Sequence, residues 1–246
     1  MKVRFFLLFA LFSLLQLCTA CKHQQAVIPL DLLWGAKASD NKSLFIFLPG
    51  VRDNKEDFLK KGLFARLQQT GISADMVAAD LHLAYLENGT AVARLHEDVI
   101  VPAQQQGYKN IWLVGISLGS LNALLYLKKR PDDICGLVLL SPYLGEKKIS
   151  SEIIQAGGIE KWQPLNTGDL NDEERLWLWL KKTRLNNVYL GTGSGDRYFP
   201  LQQQLARLLP DGNIHFIAGG HRWPVWQNLW GYFVTIFQSS NYYGQC

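Results

Sequence analysis

The chain has 246 residues, 48% of them hydrophobic and 12% aromatic, which suffices for one sizeable buried core and rules out an intrinsically disordered chain. Its formal charge is +4, from 25 basic and 21 acidic side chains that are interspersed along the sequence. Without a basic block or an alternation of basic and aromatic residues to track a phosphate backbone, nucleic acid is not an expected partner.

The first element is a leader. Lys2 and Arg4 precede an unbroken apolar run over residues 5–12, which continues through Leu14, Leu15 and Leu17 and gives way to Thr19, Ala20 and Cys21. A charged start, an apolar middle of roughly thirteen residues and a small-residue end describe an export signal over 1–20; a spanning helix needs ~20 apolar residues. The end, Leu17-Cys18-Thr19-Ala20-Cys21, resembles the lipobox of bacterial lipoproteins, with Cys18 where that motif usually has leucine. The resemblance implies cleavage before Cys21, lipidation of Cys21, and a lipoprotein of the bacterial cell envelope facing the periplasm. Lys22, in place of the aspartate that retains lipoproteins at the inner membrane, favours the outer one in a cell with two membranes. Ordinary cleavage that leaves Cys21 as a thiol is the alternative. With Cys18 removed and Cys21 lipidated, Cys135 and Cys246 remain, and an oxidising compartment invites a disulfide between them. Cys135 as a small buried hydrophobe is the other reading.

Residues 21–42 read as an N-terminal tether, and 43–246 as a single domain. Residues 43–48 (SLFIFL) form a buried-strand run ending in Pro49-Gly50, and 57–69 carry helical spacing through Phe58, Leu63, Phe64 and Leu67. The periodicity then predicts a strand over 74–79, a helix over 90–106, a strand over 110–114, a helix over 118–129 and a strand over 134–140. Strand-helix repetition of this kind implies a mostly parallel sheet with right-handed crossovers and helices on both faces, an α/β fold of about six strands. The rhythm breaks over 142–186, which holds Gly157-Gly158, a helical signal over 173–182, and Trp162, Trp177 and Trp179. This segment reads as a small helical cap, with a long crossover as the alternative. Strands over 187–190 and 213–217 and helices over 200–208 and 224–237 complete the chain. Trp223, Trp226 and Trp230 share a face of the last helix and read as core packing; Trp223, two residues from His221, is also placed to border a pocket, as is Tyr85.

Three loops, each beyond a strand, carry candidate chemistry. Gly115-Ile116-Ser117-Leu118-Gly119 joins a strand to a helix, which holds Ser117 at the tip of a sharp turn as a candidate nucleophile. Helix placement also puts the Leu118 N–H and a positive dipole end near a developing oxyanion. Gly193-Ser194-Gly195-Asp196-Arg197 offers Asp196, a carboxylate able to fix one imidazole tautomer; Asp80, after the 74–79 strand, competes for that role. Gly219-Gly220-His221 lets an imidazole swing over the serine as general base, whereas His215 lies within a strand, His23 near the leader, and His82 and His96 precede the serine.

In the order Ser117, Asp196, His221 the chain resembles the α/β-hydrolase family over residues 43–238. That family implies a Ser-His-Asp hydrolase of a small-molecule acyl substrate, carboxylesterase-like, without metal or organic cofactor. It also implies a second oxyanion N–H from the loop after the first core strand. Pro49 stands there where many members have histidine, and the role passes to Val51. Thioesterases, acyltransferases and peptidases share these residues, and some members keep the fold only for binding.

Overall fold

The computed structural model describes residues 29–35 and 43–240; the leader, Cys18, Cys21 and Cys246 lie outside them. Seven strands, β1 (Leu32–Trp34), β2 (Ser43–Leu48), β3 (Asp75–Ala79), β4 (Asn110–Ile116), β5 (Gly136–Leu140), β6 (Val188–Gly193) and β7 (Ile214–Ile217), form one sheet. Its order is β1-β3-β2-β4-β5-β6-β7. All neighbours are parallel except β1, which runs antiparallel to β3 with Leu32 opposite Ala79. The sequence predicts about six strands; β1 is the additional one, formed inside the stretch read as a tether. Three residues at a sheet edge are too few to show a period of two.

The helices are α1 (Lys55–Lys60), α2 (Leu63–Gln68), α3 (Leu83–Glu87), α4 (Ala91–Leu95), α5 (Val101–Gln105), α6 (Leu118–Lys129), α7 (Lys147–Gln155), α8 (Asp172–Lys182), α9 (Phe199–Ala206) and α10 (Trp223–Ser240). The helix expected over 57–69 is two: Asn54 and Asp57 form a capping box at the start of α1, and Gly62, at φ 77°, breaks the rod before α2. The helix expected over 90–106 is continuous but widens into a π turn over His96–Ile100. Pro102, just beyond, has no N–H to give the α ladder.

Central strands such as β2 are buried along their whole length, and alternate residues feed two different cores. Leu44, Ile46 and Leu48 join an aliphatic core with α3 to α9, while Phe45 and Phe47 join an aromatic core with α1, α2 and α10. On the aromatic side the Phe45 ring lies 5.9 Å from Trp230 and 6.0 Å from Phe237, all three fully buried. Burial of each such side chain stabilises the fold by about 2–3 kcal/mol. Within residues 142–186, Trp162 and Trp177 are fully buried in the aliphatic core, the Trp177 indole donates to the Leu144 carbonyl at 2.9 Å, and α7, which the sequence reading did not include, buries Ile149 and Ile153 one turn apart.

Cys135 stands immediately before β5 and is disulfide-bonded; Cys246, the expected partner, lies outside the described residues. Among the described residues no helix is long and apolar enough to cross a membrane.

Candidate active site

The sheet changes direction at β2. The chain passes outward to β3 and then returns across β2 to β4, so the crevice at the carboxyl ends of β2 and β4 is a topological switch point. Ser117 follows β4 there, and the Pro49-Gly50 loop follows β2. Ser117 has φ 51° and ψ −109°, a left-handed conformation that costs a non-glycine residue about 1–3 kcal/mol and has to be held from outside. Its N–H donates to the Leu140 carbonyl at 3.0 Å, and its carbonyl accepts from the Tyr143 and Ser120 N–H groups at 3.1 Å each. The flanking glycines are required by contact: a Cβ on Gly115 would overlap the backbone of Gly119 and Ser120, and one on Gly119 would overlap the Leu48 carbonyl. Leu118 opens α6, where first-turn N–H groups have no intrahelical acceptor.

The loops that carry Asp196 and His221 are laced together. Ser194 N–H donates to the Ile217 carbonyl and Gly195 N–H to the Gly219 carbonyl, each at 2.8 Å. Gly193 permits this approach, since a Cβ there would overlap the Gly219 carbonyl; Gly219 itself sits at φ 129° against Val225. In consequence His221 Nδ1 lies 2.7 Å from Asp196 Oδ2, and His221 Nε2 lies 2.9 Å from Ser117 Oγ. The arrangement corresponds to Nδ1–H donating to the carboxylate and Nε2 accepting the serine proton. Tyr198 and Trp226 hold the ring edge-on, at 5.3 and 5.1 Å between centroids. The Asp196 side chain is wholly buried. Burial on its own raises the carboxyl's pKa, but the His221 hydrogen bond and donation from the Tyr198 N–H (2.9 Å) outweigh it and hold the group below its usual range.

Across the crevice, Gly50 to Asp53 form a turn closed by the Asp53 N–H on the Gly50 carbonyl at 3.2 Å. Val51 is exposed in this turn. Asp53 accepts from the Trp223 indole at 2.9 Å. Burial pushes its pKa up; the Trp223 hydrogen bond opposes that, and the nearby Asp57 adds to it. An open pocket of about 510 Å³ is lined by Gly50 to Asp53, Ser117, Gly195, Arg197 and His221 to Trp223, with Trp226 behind.

Three solved structures share this architecture. Est1E from Butyrivibrio proteoclasticus aligns at a TM-score of 0.60 and 14% identity over 88% of this chain and 95% of its own. A monoacylglycerol lipase from Paleococcus ferrophilus aligns at 0.56 and 16% over 85% and 98%. The thioesterase domain of the curacin biosynthetic pathway aligns at 0.51 and 16% over 85% and 98%. This chain has the α/β-hydrolase fold. A family model described as serine aminopeptidase, S33, matches residues 90–191, a stretch that includes Ser117 and ends before Asp196 and His221. No curated protein sequence matches the chain.

Within that α/β-hydrolase framework, the competing residues lie elsewhere. Asp80 is paired electrostatically with Lys55 and His82 rather than with His221. His82 is buried against the Tyr85 ring at 4.8 Å, and Tyr85 is in the aliphatic core and lines no part of the pocket. Trp223 does border it, as does Trp226, while Trp230 is core, its indole donating to the Leu63 carbonyl at 2.9 Å. Sequence reasoning missed Asp53, Arg52, Arg197 and Arg222. The only trace of the arginines in the sequence is that each follows a residue already singled out, a pattern with no meaning until the three loops are known to converge.

Proposed function

We propose that the protein is a serine hydrolase that cleaves a carboxylic ester through an acyl-enzyme. The observation that carries the reading is the unbroken contact from Ser117 Oγ to His221 Nε2 and from His221 Nδ1 to Asp196, at 2.9 and 2.7 Å. Ser117 Oγ bonds to the acyl carbon, the ester C–O bond breaks, and His221 passes the serine proton to the departing alcohol. Water then bonds to the acyl carbon, its proton travels through His221 back to Ser117 Oγ, and a carboxylic acid is released. The N–H groups of Leu118 and Val51 hold the oxyanion in both steps. Hydrolysis of 4-nitrophenyl butyrate by the wild type, and its loss in Ser117→Ala, tests the reading; equal rates overturn it, as does an inert wild type, the outcome expected of a fold kept only for binding.

The match of residues 90–191 to the serine aminopeptidase model supports a second reading, peptide-bond cleavage from the amino end with the same residues. Aminoacyl-4-nitroanilides assayed beside the nitrophenyl and acyl-thiol esters separate peptidase, esterase and thioesterase.

The leader supports a lipoprotein anchored through Cys21, placed in the envelope and facing the periplasm. Metabolic labelling with a fatty acid that is lost in Cys21→Ser tests the anchor. Cys246 is the partner proposed for Cys135, which a cross-linked peptide pair in a non-reduced digest would show.

A further inference from the structure

Each of the three loops that meet Ser117 places an arginine one residue beyond the group assigned a role: Arg52 after Val51, Arg197 after Asp196 and Arg222 after His221. All three line the pocket that opens onto Ser117. Arg94, Arg175 and Arg207 each pair with a carboxylate; among the described residues Arg52, Arg197 and Arg222 have no such partner. That is true also of Arg66, Arg130 and Arg184, and what sets Arg52, Arg197 and Arg222 apart is that they converge on one pocket. Arg197 is the most constrained. Its guanidinium carbon lies 4.8 Å from the Tyr198 ring centroid, and Tyr198 packs edge-on against both Tyr143 and His221, so the cation keeps a set place relative to the imidazole. Asp53 is the one acid in the lining. Its Oδ1 accepts from Trp223, and burial works against its ionisation, so positive charge predominates at the rim. Trp223 and Trp226 give that rim apolar walls, which focus the field of the guanidinium groups into the pocket.

We infer that the site takes an acyl ester bearing an anionic group, carboxylate or phosphate, close to the scissile carbonyl. A planar guanidinium fork matches both anions. The inference rests on the serine-hydrolase reading: water cleaves the ester as above, and the anion binds without reacting.

Two matched ester pairs test it on the full chain. 4-Nitrophenyl hydrogen glutarate and 4-nitrophenyl valerate differ by a terminal carboxylate on the acyl half. 4-Carboxyphenyl butyrate and phenyl butyrate differ by one on the alcohol half, with rates normalised to alkaline hydrolysis. At low salt the anionic member of at least one pair has the higher kcat/KM by about tenfold to a hundredfold. Molar KCl brings the ratio towards one, because the arginines are exposed. R52Q, R197Q and R222Q each narrow the ratio, and together they abolish it. Since both esters meet the same preparation, a partly unfolded variant leaves the ratio readable. Competition by glutarate against inorganic phosphate tells which anion fits better, and competition by neither overturns the inference. Ratios near one in both pairs, or a preference that neither salt nor the variants move, also overturn it while leaving the hydrolase reading standing. If the wild type cleaves neither member of either pair, the hydrolase reading itself fails.

Discussion

Asp196 and Arg197 are chain neighbours in opposite surroundings. The Asp196 side chain is wholly buried, bonded to His221 and to the Tyr198 N–H; the Arg197 side chain is exposed over the face of Tyr198. His221 and Arg222 repeat the contrast one loop later. The loops thus alternate between a buried hydrogen-bonded chain that has to be rigid and an outer ring of charge that meets solvent and incoming substrate. Backbone strain at Ser117 and glycine-bounded close approaches are spent on the inner series. In the outer series only Arg197 is given an aromatic contact, with Tyr198, and all three arginines are exposed, which predicts that damage to the two has different size and different salt dependence.

The largest break belongs to the inner series. Ser117→Ala is expected to lower kcat by about four to six orders of magnitude, with circular dichroism and melting temperature close to wild type. Asp196→Asn, which puts the imidazole in the wrong tautomer, is expected to lower kcat about 10⁴-fold. It carries a stability signature too. Because the fold holds this carboxyl below its usual pKa, its contribution is present at neutral pH and is lost as pH falls through the lowered value. The melting-temperature gap between wild type and Asp196→Asn therefore closes on acidification.

Val51→Pro sharpens the comparison at the boundary. Val51 is the second residue of the Gly50–Asp53 turn, where proline suits the common turn types, so the change removes the N–H with little disturbance of the backbone. A loss of about 10²- to 10³-fold in kcat with KM unchanged is expected if that N–H serves the oxyanion; an unchanged kcat places the second donor elsewhere.

The smallest effect is assigned to Asp53→Asn. The amide oxygen still accepts from Trp223 but cannot ionise. Asp53 has a raised pKa, so its stabilising contribution is present in acid and is lost as pH rises through that value. Asp53→Asn therefore gains melting temperature relative to wild type between acid and neutral pH, by a few °C at most. It also raises the preference for the anionic ester. A gap that does not change with pH contradicts this assignment.

The inner series was legible in the sequence because its chemistry imposes local rules. The strand-to-helix turn at Ser117 needs Gly115 and Gly119, the loops to Asp196 and His221 need Gly193 and Gly219, and strands such as 43–48 and 110–114 are long buried apolar runs. What escaped lacks such rules. β1 is three residues of edge strand whose partner is decided by the rest of the sheet. α3 is five residues with little periodicity of its own, α7 announces itself only by the i, i+4 pair Ile149 and Ile153, and the break between α1 and α2 turns on the conformation of one glycine. The burial of Trp162 and Trp177 over 142–186 was not legible either, because tryptophan content does not say which surface the rings bury against. Asp53 and the three arginines are polar loop residues whose significance is set by distance across the crevice, 170 residues apart in the chain for the Asp53–Trp223 pair.

The most direct test of the Ser117-His221-Asp196 assignment is labelling of the purified full chain with a fluorophosphonate, followed by intact mass and peptide mapping. The account predicts one adduct per chain, on Ser117, absent in Ser117→Ala and formed far more slowly in His221→Ala. An unlabelled wild type, or labelling that persists in Ser117→Ala, would contradict it.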